Sequence, residues 1–443
     1  MVATGLLDHP FKEAYASKAG ALPGATHAWV DGLRQTARAL LNTAGLPGPK
    51  TEAFIFTPVS DLAKIPFIPA ASADDVDVRD VPLNVPRIAG ASRIVLVNGV
   101  LNAALSDNIA VEGLRVESLK QVLARDTLSV KPLLGGLAAS ASLPLVALNT
   151  AYMADGLVIR AGKNFAGAML HVISIGAAGA EPVAFHPRNL VALEPGAQLT
   201  LIETHVGLPG QNYLTNPVTE ISLAENARLK RYVSVAEDDD AFHFATTSVA
   251  LSAHSTFNAF HAGLGGGKVR QEVRAAFLGT GSSAIVNGVY ALSGKQHHDF
   301  TTAMDHAVPH TTSSQLVKGV VDGQSRAVFQ GRVLVDRDAQ KTDARQLHKA
   351  MFLAKGPAVD CKPELEIFAD DVQCAHGAAT GELDENHLFY LMARGIDRDT
   401  ARALLVSGFL EDVLESIGDE QVREAFSALV QGWLKRRAMR RAA

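Results

Sequence analysis

Cys374 and His376 stand two residues apart and carry two of the softer donor groups in the chain. In an extended segment, residues i and i+2 point to the same face, so thiol and imidazole would stand side by side. Together they could ligate iron or another soft metal. On spacing alone, Cys-x-His fits a buried cysteine beside a hydrogen-bonded histidine better than a metal site. Asp370-Asp371 is an adjacent acid pair, but neighbours in a strand face opposite ways. That is wrong for the paired carboxylates of a polysaccharide-cleaving enzyme. His297-His-Asp-Phe, Asp305-His and His310 have metal-ligand residue types, and read better as polar side chains stacked along a repetitive face. Gly263-Leu-Gly-Gly-Gly-Lys268 lacks the full P-loop spacing and the hydroxyl residue after lysine; it reads as a turn.

The elements that must position these residues change character along the chain. Residues 1–80 read as a helical domain. His27 to Leu41 carries an apolar stripe of Trp29, Leu33, Ala37 and Leu40 or Leu41, stopped by Gly45-Leu-Pro-Gly-Pro. Asp74 to Pro86 reads as a linker. Residues 81–154 are mixed. Ser92 to Val97 is a strand ending in the hairpin signal Asn98-Gly99, and Val116 to Arg125 looks helical.

From about residue 155 to 380, short apolar runs alternate with Gly, Asn, Asp and Ser turns. The runs are Met169–Ile175, Leu199–Thr204, Arg228–Val235, Phe257–Ala262, Ala284–Leu292, Gln315–Val321 and Ala327–Val335. Ala197-Gln-Leu, Ala227-Arg-Leu, Ser255-Thr-Phe and Ser283-Ala-Ile recur at offsets of 30, 28 and 28 residues. An offset of that size without long helices suggests a parallel β-helix, with Leu199, Leu229, Phe257 and Ile285 in one interior row. A β-sandwich would not need a constant offset. Residues 381–443 read as a helical domain. Asp384, Asp397 and Asp419 are placed to start helices. Val422, Phe426, Leu429 and Trp433 form an apolar stripe before the basic run Lys435, Arg436, Arg437, Arg440 and Arg441. We expect this stripe to be a docking surface, separable from the β-rich part.

Composition narrows the function classes. The chain has 443 residues, 47% hydrophobic and 20% charged, and a formal net charge of -5. That is an ordinary globular balance with no reason to expect nucleic acid. No apolar run is long enough to span a membrane. The start lacks the features of a secretory signal, and two cysteines give no disulfide framework, so a cytoplasmic location is expected. A bound iron–sulfur cluster normally takes four protein ligands, mostly thiolates. Two cysteines do not supply them, so any cluster would be transient and shared with a partner subunit.

Lys362-Pro-Glu-Leu-Glu-Ile, Ala369-Asp-Asp-Val, Cys374-Ala-His-Gly-Ala and Phe389-Tyr-Leu with Ala393-Arg-Gly-Ile396 together resemble the most characteristic segment of the SufB/SufD family of iron–sulfur cluster assembly proteins. The resemblance runs from about residue 35 to about residue 410 and is strongest after Asn287. Glu52-Ala-Phe-Ile-Phe-Thr is similar to the family's aromatic segment but lacks its Trp and Lys, and Leu347-His-Lys departs from an asparagine-rich family step. The resemblance implies a right-handed parallel β-helix core flanked by N-terminal and C-terminal helical domains. It implies a non-enzymatic scaffold that pairs with a SufB subunit through the β-helix and docks the SufC ATPase on its C-terminal helices. The nascent cluster or iron would then sit near His376, with Cys374 as second candidate, and Val422, Phe426, Leu429 and Trp433 would serve the ATPase.

Overall fold

The small residue that recurs ahead of each apolar one has a backbone cause. The computed structural model describes residue 15 and residues 18–70 and 85–442; the linker expected over 74–86 lies, up to residue 84, outside the described residues. Asn164, Gly196, Asn226, His254, Gly281, His310 and Lys341 all adopt positive φ. They stack as one corner of a coil, most donating their N–H to a carbonyl of the neighbouring turn, as Asn226 does to Ala253 and His254 to Thr280, each at 3.0 Å. Glycine and asparagine enter this region most readily. The residue after six of the seven corners is small and sealed inside: Ala197, Ala227, Ser255, Ser282, Thr311 and Thr342 are all buried, while Phe165 at the first corner is half-buried. A larger side chain there would collide with the stacked turn.

Successive coils alternate between a 12-stranded and a 10-stranded sheet. The pairing is parallel throughout the repeating region, giving a β-solenoid of about eight turns. All seven expected runs are strands, and six belong to the 10-stranded sheet. The other sheet was largely illegible because its strands carry charge on one face, as in Lys268-Val-Arg-Gln-Glu-Val-Arg-Ala-Ala-Phe.

The expected interior row needs one correction. Leu199 pairs with Leu229, Leu229 with Phe257, and Phe257 with Ala284. Ile285 is turned outward and is 42% exposed. The fourth coil is one residue shorter, and Ser282, not Ser283, takes the buried corner place. A one-residue slip inverts every side chain.

The segment before residue 155 contributes to the same sheets. Ser92–Val97 lies parallel to Met169–Gly176 and turns back at Asn98-Gly99, both at positive φ, into Val100–Leu101. Leu114–Ser118 is a strand antiparallel to Leu157–Ala161, and only then does helix α2 (Leu119–Arg125) begin; Ser118 Oγ caps it by accepting from Gln121 N–H. Helix α1 (Ala28–Ala44) ends at Gly45, whose φ is 67°, and packs on α3 (Pro144–Tyr152). Under α3 lies a fully buried ion pair: Arg188 donates to Glu220 Oε1 at 3.0 and 2.6 Å and to Asn149 Oδ1 at 3.0 Å. Glu220 also accepts from the backbone N–H groups of Gly135, Leu137 and Ala138. A buried pair is tolerated when its remaining lone pairs are satisfied in this way.

After the last strand come α4 (Glu385–Met392), α5 (Arg398–Leu414) and α6 (Glu420–Ala442). Asp384 and Asp397 cap α4 and α5 through Asn386 and Thr400 N–H. Among the described residues, no helix is long and apolar enough to cross a membrane.

Candidate functional site

The last coil is where soft donors and unpaired backbone meet. Its strands Ala358–Ile367 and Gln373–Glu382 end the two sheets, and each has a sheet neighbour on one side only. Alternation carries the interior rows out to this end. Cys374 continues Ala344, His376 continues Gln346, and Cys361 continues Phe329. Cys374 and His376 therefore share the inward face, as their spacing predicts. No further coil covers them, so Cys374 is half-buried against the core and His376 is exposed.

Burial raises the pKa of both thiols, Cys361 to about 11. For Cys374 the burial effect is opposed by a backbone hydrogen bond at Ala344. In this chain alone both are therefore protonated near neutral pH, and a metal or a neighbouring cation is needed to make thiolates. Cys361 was not anticipated. It sits on a different strand from the Cys-x-His pair, and its only signal is inward alternation with Pro363 and Leu365. The coil offers two thiols and one imidazole, short of the four ligands of a cluster. Asp371 is ion-paired with Lys341.

The histidine-rich segment is scaffold. His297 meets Thr57 Oγ1 at 3.0 Å, and His298 lies 3.3 Å from the Gly266 carbonyl. His306 meets Thr311 and Ser313 and stacks on Phe277, and His310 is one of the left-handed corners. The Leu347-His-Lys departure has a packing cause. His348 is fully buried, stacked on Phe329 at 5.0 Å with its Nε2 3.0 Å from Tyr290 Oη. In the aromatic segment, Phe54 lies under the Arg270 guanidinium, 4.4 Å from the ring centroid.

The tail stripe does not face outward. Val422, Phe426 and Trp433 are buried and Leu429 half-buried, against an apolar outer face of the 10-stranded sheet. Phe426 meets Tyr232 and Phe260 edge-on, at 6.3 and 5.9 Å. That sheet face presents Ile202, Tyr232, Phe260 and Val289 in adjoining rows and needs a cover. The stripe is that cover: Val422 and Phe426 are sealed against the sheet, and Leu429 and Trp433 border a cleft beside α6. The exposed apolar groups of the tail are Phe389, Tyr390, Met392 and Leu404, on α4 and α5.

The chain is thus a parallel solenoid whose last coil carries its soft donors at an uncapped end and whose flank is covered by helices. Comparison with known proteins gives this class its family. The SUF system FeS cluster assembly, SufBD core domain matches residues 175–409, and the SufBD protein N-terminal region matches residues 7–167. An iron–sulfur cluster assembly SufBD family protein of Synechocystis is 31% identical over 396 residues, covering 87% of this chain and 86% of its own. The iron–sulfur cluster assembly protein SufD of Escherichia coli is 30% identical over 398 residues, covering 90% and 91%. The chain belongs to the SufBD family.

Proposed function

We propose that this chain is a non-enzymatic scaffold subunit of SUF iron–sulfur cluster assembly, pairing through its last coil with a SufB-like subunit. The observation that carries the proposal is that coil. Its two ten-residue strands each have one free edge, and a free strand edge is a template for pairing with another chain. Beside those edges His376, Cys374 and Cys361 offer fewer donors than a cluster takes, so the remainder must come from the partner. The nascent cluster is cargo here, held between subunits and passed on. His376 is the donor most open to the partner, and imidazole can replace thiolate as an iron ligand.

A SufC-like ATPase would dock on the outward faces of α4 and α5. Phe389 is 73% exposed and Leu404 51%, and large exposed apolar groups of this kind mark interaction surfaces.

The test is co-expression with a SufB-like and a SufC-like partner. His376→Ala should co-purify with both partners and leave the complex without cluster, while Cys374→Ser does less harm. Normal cluster content in the His376→Ala complex would confine that histidine to a structural role. Phe389→Asp should release the ATPase and keep the SufB-like subunit.

A further inference from the structure

The interior of the solenoid is polar at one corner. On the 10-stranded sheet the inward rows carry Glu203, His205, Arg231 and His261, and the facing strand Phe242–Leu251 carries His243 and Thr247. Most of these groups have an evident partner. Glu203 accepts from Arg231 at 2.6 and 2.9 Å, and Arg231 also donates to Thr247.

His205, whose Nε2 lies 3.8 Å from Glu203 Oε2, also joins a second cluster with Glu237 and His243. Each is buried, and one donor atom from each lies within 4.8 Å of the other two. His243 Nδ1 is 3.1 Å from Glu237 Oε2, and the rings of His205 and His243 meet edge-on with centroids 4.8 Å apart. His205 Nδ1 and His243 Nε2 have no hydrogen-bond partner. Such orphaned buried atoms are rare and costly. Among the described residues, no lysine or arginine forms an ion pair with the Glu237 carboxylate. A buried carboxylate beside two imidazoles is poorly compensated unless a cation joins it.

We propose that His205, Glu237 and His243 bind a single divalent metal ion of the Zn2+ class. Two imidazole nitrogens and one carboxylate oxygen form a three-ligand set suited to such an ion, with a fourth position for water. The set has too few oxygens for Ca2+ or Mg2+ and no thiolate for a cluster. The site lies four to six strands from the open coil, on the order of 20 to 30 Å at about 4.8 Å per strand, and does not depend on the function proposed above.

Two features of the surroundings support it. Glu237, Asp238 and Asp239 also border a cleft of about 410 Å3 between α6 and the solenoid, whose other wall carries Arg436 and Arg437, so the site lies next to solvent-accessible space. The glycine run after residue 263 secures the loop that carries Glu237. Gly266 N–H donates to the Glu237 carbonyl at 2.7 Å. A Cβ on Gly265 would fall 2.3 Å from that same oxygen, so only glycine lets the two loops lie this close.

The probe is Co2+, with Zn2+ as competitor, on the full chain stripped by chelator. The expected result is one equivalent of Co2+ showing tetrahedral ligand-field bands, no thiolate charge-transfer band, and displacement by Zn2+. Glu237→Gln, nearly isosteric, should weaken binding by at least about a hundredfold, the upper end of what loss of a mere supporting contact costs. His376→Ala and Cys374→Ser should leave binding unchanged. Absence of uptake by the wild-type chain, unchanged affinity in Glu237→Gln, or loss of the signal in His376→Ala would each overturn the proposal. Should Glu237→Gln fold poorly, the wild-type chain still decides: Zn2+ must raise its melting temperature reversibly, and no shift with saturating Zn2+ overturns the site.

Discussion

The two ends of the solenoid are finished in different ways. At the first, Ser92–Val97 is covered by the short return strand Val100–Leu101, and Leu157–Ala161 by the antiparallel strand Leu114–Ser118. At the last, two ten-residue strands end the sheets, and among the described residues no strand pairs beyond them. Stacked-coil proteins bury a continuous core only between neighbours, so an end left bare exposes both backbone and interior. One end is closed by the chain's own segments, and the other is the edge that the proposed partner would close. The soft donors lie at the bare end.

That contrast can be broken most severely by removing what covers the flank. Truncation after Ile396 deletes α5 and α6 and bares the sheet face under Phe426. We expect loss of a cooperative thermal transition and aggregation, which far-UV circular dichroism and light scattering will record; a soluble truncated chain with an unchanged melt would refute the covering role. Next in size is Leu229→Asp, which places an uncompensated charge in the core row and should cost several kcal/mol, more than about 4. Ile285→Asp, on the outer face, should stay within about 0.5 kcal/mol. Equal effects in urea unfolding would contradict the register found for the fourth coil.

A smaller effect concerns pH. Burial holds the imidazoles of His171, His186, His306 and His348 down at about 4, and those of His261 and His298 at about 3. In the unfolded chain these histidines bind protons near pH 6.5. Between about pH 6.5 and pH 4 the unfolded state therefore holds more protons, and stability must fall as pH falls. His348→Phe keeps the ring stack and removes one titrating group, so its urea midpoint should change less steeply across that window. The smallest expected change is in His376→Ala at the bare end, within about 0.5 kcal/mol of the wild-type unfolding free energy. A larger loss would mean that the last coil is held by that side chain rather than completed by a partner.

The coil repeat was legible because a left-handed corner and a sealed small residue recur at each turn. Ser282 and Ser283 are both small, so the pattern there could not say which one took the corner, and the register slipped by one. The Val422, Phe426 and Trp433 stripe showed that the last helix is covered; amphipathicity does not say by what, and the solenoid itself proved to be the cover. Cys374 and His376 could be read as a pair because they share a strand. His205, Glu237 and His243 could not, since they come from one strand, a loop and a strand of the other sheet. No spacing rule links positions that meet only when coils stack.

The one-sided last coil also sets a gradient in time. Every interior strand must part from two neighbours before its amides meet water, whereas Gln373–Glu382 has only Asp343–Phe352 to leave. Local opening should therefore begin at that end and move inward coil by coil. Amide hydrogen exchange would be fastest across residues 373–382 in the isolated chain, and a bound partner strand would slow it there first. The last coil would be the most loosely held part of the solenoid in the isolated chain.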